Sequence, residues 1–198
     1  MFASLARWGV RLIDYLLRKS LGVREFSDAE GCMLRIAPSR AKKRVALSDG
    51  TVVNPGDFVC EIHMWNERVP KMGPGGPDVQ WALATYKGVL RSLELLAEYL
   101  PSHPLYSQAV AVHGEGTVMQ GLPLEQALRI WSRVGFDTMP KHAQTRLERF
   151  GRWWQNLYTS WLMWTFNAVS LREKRITEMT HCEFWISRRA FMERYGCR

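Results

Sequence analysis

The chain is poor in cysteine, with four in 198 residues, and none stands in a Cys-x-x-Cys pair. Cys32, Cys60, Cys182 and Cys197 lie far apart, which argues against a clustered zinc site or a dithiol redox motif. Cys60 and Cys182 fall inside apolar, strand-like runs, so buried reduced thiols are expected. A clean secretory leader is missing too: Arg7, Arg11, Asp14, Arg18 and Lys19 interrupt any apolar stretch at the N-terminus, and the compartment reads as cytoplasmic. There is no His-Glu-x-x-His, no Gly-x-Ser-x-Gly and no Gly-x-Gly-x-x-Gly between a strand and a helix. The glycine-rich segment 71–77 has no Gly-Lys-Ser/Thr, so it reads as a connector. The one long uncharged run, Trp153 to Leu171, holds four tryptophans but also Gln155, Asn156, Thr159, Ser160, Thr165 and Asn167. That polarity argues against a span; a buried or groove-lining helix is expected, with contact at a membrane interface as the alternative.

What is present suits one globular domain. Hydrophobic residues make up 46%, too many for a disordered chain. The net charge is +8, carried by twenty arginines and seven lysines. Such a surplus favours an anionic partner, whether an anionic glycan, a lipid head group or nucleic acid. Nucleic acid ranks last, because no recognisable reading motif accompanies the Arg40–Arg44 cluster.

Residues 1–22 read as a basic amphipathic helix. Phe2, Leu5, Gly9, Leu12, Ile13, Leu16 and Leu17 form one stripe. Packing of that stripe on the domain's own core is expected; lying on a membrane surface is the alternative. Residues 23–198 read as a single α+β domain, with a mostly antiparallel sheet of four to six strands and three or four packed helices. Asp49-Gly50 marks a hairpin between Arg44–Leu47 and Thr51–Val53. Phe58–Trp65 reads as a strand. Asp78 caps a helix over about 79–100, ended by Pro101. Gln108–His113 reads as a strand closed by Gly114 and Gly116. A short helix over 124–134, a long one from His142 to about Ser170, a strand from Arg175 to Ile186 and a last helix capped by Ser187 complete the chain.

Three segments place a histidine two residues from a glutamate: Glu61-Ile-His63, His113-Gly-Glu115 and His181-Cys-Glu183. Side chains two apart on a strand share a face. If the three strands are neighbours, six acid/base or metal-capable groups share one surface. Imidazole with carboxylate can pass protons or bind a divalent metal, although no cofactor is demanded by any motif. The plainer reading is that a one-sided sheet alternates polar and apolar residues and leaves Glu and His on its wet face. Trp65, Asn66, Glu67 and Arg68 cluster at the end of the 58–65 strand, a position that favours binding residues.

The block Ser48-Asp-Gly-Thr-Val-Val-Asn-Pro-Gly-Asp57, followed by Glu61-Ile-His-Met-Trp-Asn-Glu-Arg-Val-Pro70, resembles the YkoP-like domain. The terminal segment Ile186 to Gly196 fits the same resemblance. That bacterial domain occurs alone or attached to polysaccharide deacetylase-like enzymes. The resemblance implies a setting in cell-envelope polysaccharide or lipid-linked glycan metabolism and a deacetylase-like protein as partner. It carries no metal ligand to this chain. The expected function is an accessory or binding module of that metabolism, peripheral to the inner membrane if it meets a bilayer. The alternatives are a hydrolase or transferase that uses the Glu/His strands and a basic nucleic-acid binder.

Overall fold

A computed structural model describes residues 2–118, 124–141, 145–171 and 179–196. Helix α1 (Phe2–Ser20) is followed by strand β1 (Leu34–Arg40), a two-stranded hairpin β2 (Val45–Ala46) and β3 (Val52–Val53), and β4 (Phe58–Met64). Helix α2 (Val79–Ser102) leads to β5 (Ala111–Val118), α3 (Leu124–Arg133), β6 (Asp137–Lys141), α4 (Arg146–Phe166), β7 (Thr180–Ser187) and α5 (Arg188–Tyr195). The main sheet runs β1-β4-β5-β7-β6, and among the described residues only the β4–β5 pairing is parallel. That one parallel step needs a crossover, and α2 supplies it. The fold is α+β with a mostly antiparallel sheet, as the sequence pattern implies.

Alternation divides the two sheet faces. Leu34, Ile36, Cys60, Ile62, Val112, Cys182, Phe184 and Ile186 form the apolar face. Against it pack Leu93, Leu96 and Leu100 of α2, which are fully buried, and Phe191 of α5. Each such side chain contributes about 1.5–3 kcal/mol when removed from water. Asp78 accepts the Trp81 N–H at 2.7 Å and starts α2. The helix continues through Pro101 to Ser102, so the proline sits in its last turn instead of ending it. Cys32, Cys60 and Cys182 are buried free thiols, while Cys197 lies outside the described residues.

The opposite face changes character along its length. Near one end Val59, Ala111 and Trp185 pack under the hairpin residues Val45, Leu47 and Val53. Beyond them the same face carries the Glu/His residues, and α4 lies alongside. The start of that helix is set by a capping box: Thr145 accepts from the Glu148 N–H, and Glu148 accepts from the Thr145 N–H. His142 and the segment 172–178, both part of the expected elements, lie outside the described residues.

Three expectations need correction. Strand β5 does not stop at Gly114 and Gly116 but runs through both to Val118. A Cβ on Gly114 would lie 2.1 Å from Cε2 of Phe184, so glycine is there because an aromatic ring lies against the backbone. Strand β6 was not expected, because Pro140 falls inside it. It forms an edge of the sheet, as does β1 with Pro38, and an edge strand tolerates proline. Finally, the apolar stripe of α1 does not pack on the core. Asp14 is buried instead, and Leu5, Trp8, Leu12, Ile13, Leu16 and Leu17 are exposed.

Candidate functional site

The strand register brings the three Glu/His segments side by side. Glu61 on β4 stands opposite His113 on β5. Across the next pair, His113 faces Trp185 and Glu115 faces Glu183. Lys141 on β6 stands opposite His181. Glu61, His113, Glu115, His181 and Glu183 together line a cavity of about 620 Å³. One wall is the segment Ser39–Lys43 that leads into the hairpin; another is α4, through Glu148, Gly151, Arg152 and Gln155.

Directly opposed carboxylates on neighbouring strands repel. Here Glu115 and Glu183 are held by two lysines. Lys141 Nζ lies 2.5 Å from Glu115 Oε1 and 3.9 Å from Glu183 Oε1. Lys43 Nζ lies 2.7 Å from Glu183 Oε2, and the Trp185 indole N–H donates to the same oxygen at 3.3 Å. Burial pushes the Glu115 carboxyl up. Its bonds from Lys141 and Gln155 and the charges around it outweigh that effect and leave it below the ordinary carboxylate range.

The three imidazoles share one electrostatic condition. Burial holds His63, His113 and His181 each below the usual histidine range, against the pull of Glu115, whose charge reaches all three. His113 is 8% exposed and stacks on Trp185 with ring centroids 3.9 Å apart; its Nε2 has no hydrogen-bond partner among the described residues. His181 is more deeply buried and donates from Nε2 to Asn156 Oδ1 at 2.6 Å, which fixes its tautomer. His63 shares the face but does not line the cavity, and its Nε2 is 3.6 Å from Glu61 Oε1. Burial thus favours the neutral form of the three imidazoles, and the bonds on Glu115 favour its ionised form, a pairing able to accept and return a proton. Among the described residues no three His, Cys, Asp or Glu side chains are disposed to hold a metal ion.

This face is not the wet one that simple alternation suggests. His113, His181 and Glu183 are all buried, and α4 and the hairpin flank the cavity. Lys43, Lys141, Arg152, Gln155, Asn156 and Trp185 complete the site and were not singled out by the sequence pattern. Gln155 and Asn156 did leave a signal, as polar residues inside the uncharged 153–171 run. Arg152 donates to the Lys141 carbonyl at 2.9 Å and so ties α4 to β6 beside the cavity.

Trp65, Asn66, Glu67 and Arg68 sit elsewhere. Trp65 is buried between the guanidinium groups of Arg35 and Arg68, 4.4 and 3.7 Å from the ring centroid. Glu67 accepts from Arg35 at 3.1 Å and from Arg18 at 3.5 Å. Arg68 also donates to the Ala29 carbonyl at 3.1 Å. Asn66 and Glu67 line a second cavity of about 650 Å³, which shares no lining residue with the first.

Among known protein families, the one described as the YkoP domain matches residues 4–195. No curated protein and no solved structure gives a significant match.

Proposed function

The chain belongs to the YkoP domain family, and we propose that it is a binding module for a polar, hydroxyl-rich ligand of cell-envelope glycan metabolism. The ligand site is the cavity between the sheet, the Ser39–Lys43 segment and α4. The observation that carries this reading is the close alternation of donors and acceptors on the cavity wall. Arg40, Lys42, Lys43, Lys141 and Arg152 are its donors and Glu61, Glu115, Glu148 and Glu183 its acceptors, several already paired with each other, as Lys141 with Glu115 and Lys43 with Glu183. A sugar hydroxyl does both, so it can bridge such a wall where a purely anionic or purely apolar ligand leaves partners unmatched. The volume lies in the ordinary range for a small-molecule site. The polysaccharide deacetylase-like protein implied by the sequence resemblance is the partner in keeping with this role.

A second reading is favoured by one observation. Glu61 faces a buried His113 whose Nε2 is unpartnered among the described residues, the equipment of an acid/base hydrolase or transferase. Both readings use one cavity and one titration separates them. Chitooligosaccharides added to labelled protein should shift the Trp185 indole N–H resonance, which reports on Glu183. Glu183→Gln and Lys43→Ala should abolish the shift. Unchanged spectra at millimolar sugar would count against the binding module. Time-dependent appearance of product signals would favour the enzyme.

A further inference from the structure

Helix α1 docks through its polar side. Asp14 is 4% exposed and accepts from Arg18 Nε at 2.8 Å and from the Tyr158 hydroxyl at 2.6 Å. Arg7 and Arg11 lie over the rings of Trp164 and Phe166, 5.2 and 5.5 Å from the centroids. These contacts fix the helix on α4 and turn its apolar stripe outward. Leu5 is 72% exposed, Trp8 64% and Leu16 55%, with Leu12, Ile13 and Leu17 beside them. A face of that size on an ordered helix marks an interaction surface.

We propose that α1 is a membrane-docking helix that lies in the interface of a bilayer containing anionic lipid. This inference is independent of the sheet cavity. Charge decides the occupant. Asp14 and Arg18 are paired with each other within the protein, which leaves Arg7, Arg11 and Lys19 as the exposed charges of the helix, all positive. A second copy would bring two positive helices together. A bilayer meets the stripe with acyl chains, while Lys19 and the exposed parts of Arg7 and Arg11 reach toward its phosphates. The order of side chains around the helix agrees. By the 3.6-residue period Tyr15, Trp8 and Lys19 fall between Arg11 and Leu12, so side chains with an apolar body and a polar tip lie between the arginine edge and the apolar one. At that charged edge the second cavity is lined by Arg7, Arg11, Arg18 and Lys71, with Glu67 the one carboxylate among the described lining residues, a setting for lipid phosphate.

The test is flotation of the whole chain with vesicles of phosphatidylcholine alone or mixed with phosphatidylglycerol. The protein should float with the mixed vesicles, and rising salt should weaken the association. Leu12→Glu with Leu16→Glu alters positions already in solvent, so the fold should survive, and partition should fall by more than about tenfold. Leu5→Glu with Leu12→Glu is the second pair should the first prove unstable. No flotation with mixed vesicles, or flotation undiminished in the folded variants, would overturn the proposal. A dimer in sedimentation that dissociates on Leu12→Glu with Leu16→Glu, with no vesicle binding, would overturn it in favour of a second copy.

Discussion

Glu61 and His113 stand opposite each other on β4 and β5, the two neighbours that run parallel among the described strands of the sheet. That pairing places a carboxylate beside an imidazole that is almost wholly buried and stacked on Trp185. Parallel pairing is the link no local pattern announces, because it depends on α2 carrying the chain back across the sheet.

Histidine burial sets a pH dependence with a definite sign. His63, His113 and His181 all take up a proton less readily in the fold than in the unfolded chain. Stability from this source is complete above the unfolded histidine value of about 6.5 and is lost as pH falls below it. The melting temperature should therefore decline from pH 7.5 toward pH 5. His113→Gln should flatten that decline while leaving melting at pH 7.5 much less affected. An unchanged slope in His113→Gln would contradict the assignment, as would an imidazole resonance showing His113 protonated at pH 7.

The i, i+2 spacing placed Glu61 with His63 and His181 with Glu183 on common faces, because strand geometry is local. The same spacing could not show that Lys141 would come to lie between Glu115 and Glu183, since β6 contains a proline and is recognisable as a strand only once it is seen at an edge. The orientation of α1 was equally hidden. Periodicity identifies the apolar side of a helix, but the contacts that turned it outward join Asp14 to Tyr158 and Arg7 to Trp164, more than a hundred residues away. The continuation of β5 through Gly114 and Gly116 is hidden for a related reason. Both glycines make room for Phe184, a partner on another strand, and mark no turn.

Phe184 cannot yield to a methyl group at Gly114. Its ring stacks on Trp131 with centroids 4.0 Å apart and meets Phe136 edge-on. A Cβ at Gly114 would also lie 2.9 Å from Ile62 Cγ1. Gly114→Ala should cost about 3 kcal/mol, the upper part of the range for overpacking, in denaturant melts. Adding Phe184→Leu should recover part of that loss, because the clash is removed while an apolar side chain remains. If Gly114→Ala alone melted like the parent, the close approach would be disproved.

The lysine bridge should be measurable as a coupling. Lys141→Met strips the main partner from Glu115, a half-buried carboxylate facing Glu183 across the strands. Lys141 keeps over a third of its side chain exposed, so solvent screening holds the expected cost to about 1 kcal/mol. Glu115→Gln in the same background should offset much of it, since the opposed pair then loses one charge. A double-mutant cycle with no interaction term would show that the bridge contributes nothing.

Asp49 joins the hairpin to the end of β7 and should contribute to the acid limb of stability. Its carboxylate accepts from Ser187 Oγ at 2.6 Å, from the Thr51 N–H and hydroxyl at 3.0 Å each, and from Arg189 Nη2 at 3.2 Å. Burial pushes this carboxyl up, but the donors outweigh it and bring it from 3.8 to about 2. A carboxylate lowered in the fold stabilises above its unfolded value, and that contribution is lost as pH falls from about 4 toward 2. Ser187 also accepts the Ala190 N–H as the cap of α5, so one hydroxyl couples hairpin, strand and helix. Asp49→Ala should cost about 2 kcal/mol at neutral pH, in the range for hydrogen bonds to a charged group. It should also leave a shallower fall in melting temperature between pH 4 and pH 2. If Asp49→Ala instead lowered melting equally at pH 7 and pH 2.5, the ionised carboxylate would not be what holds the hairpin in place.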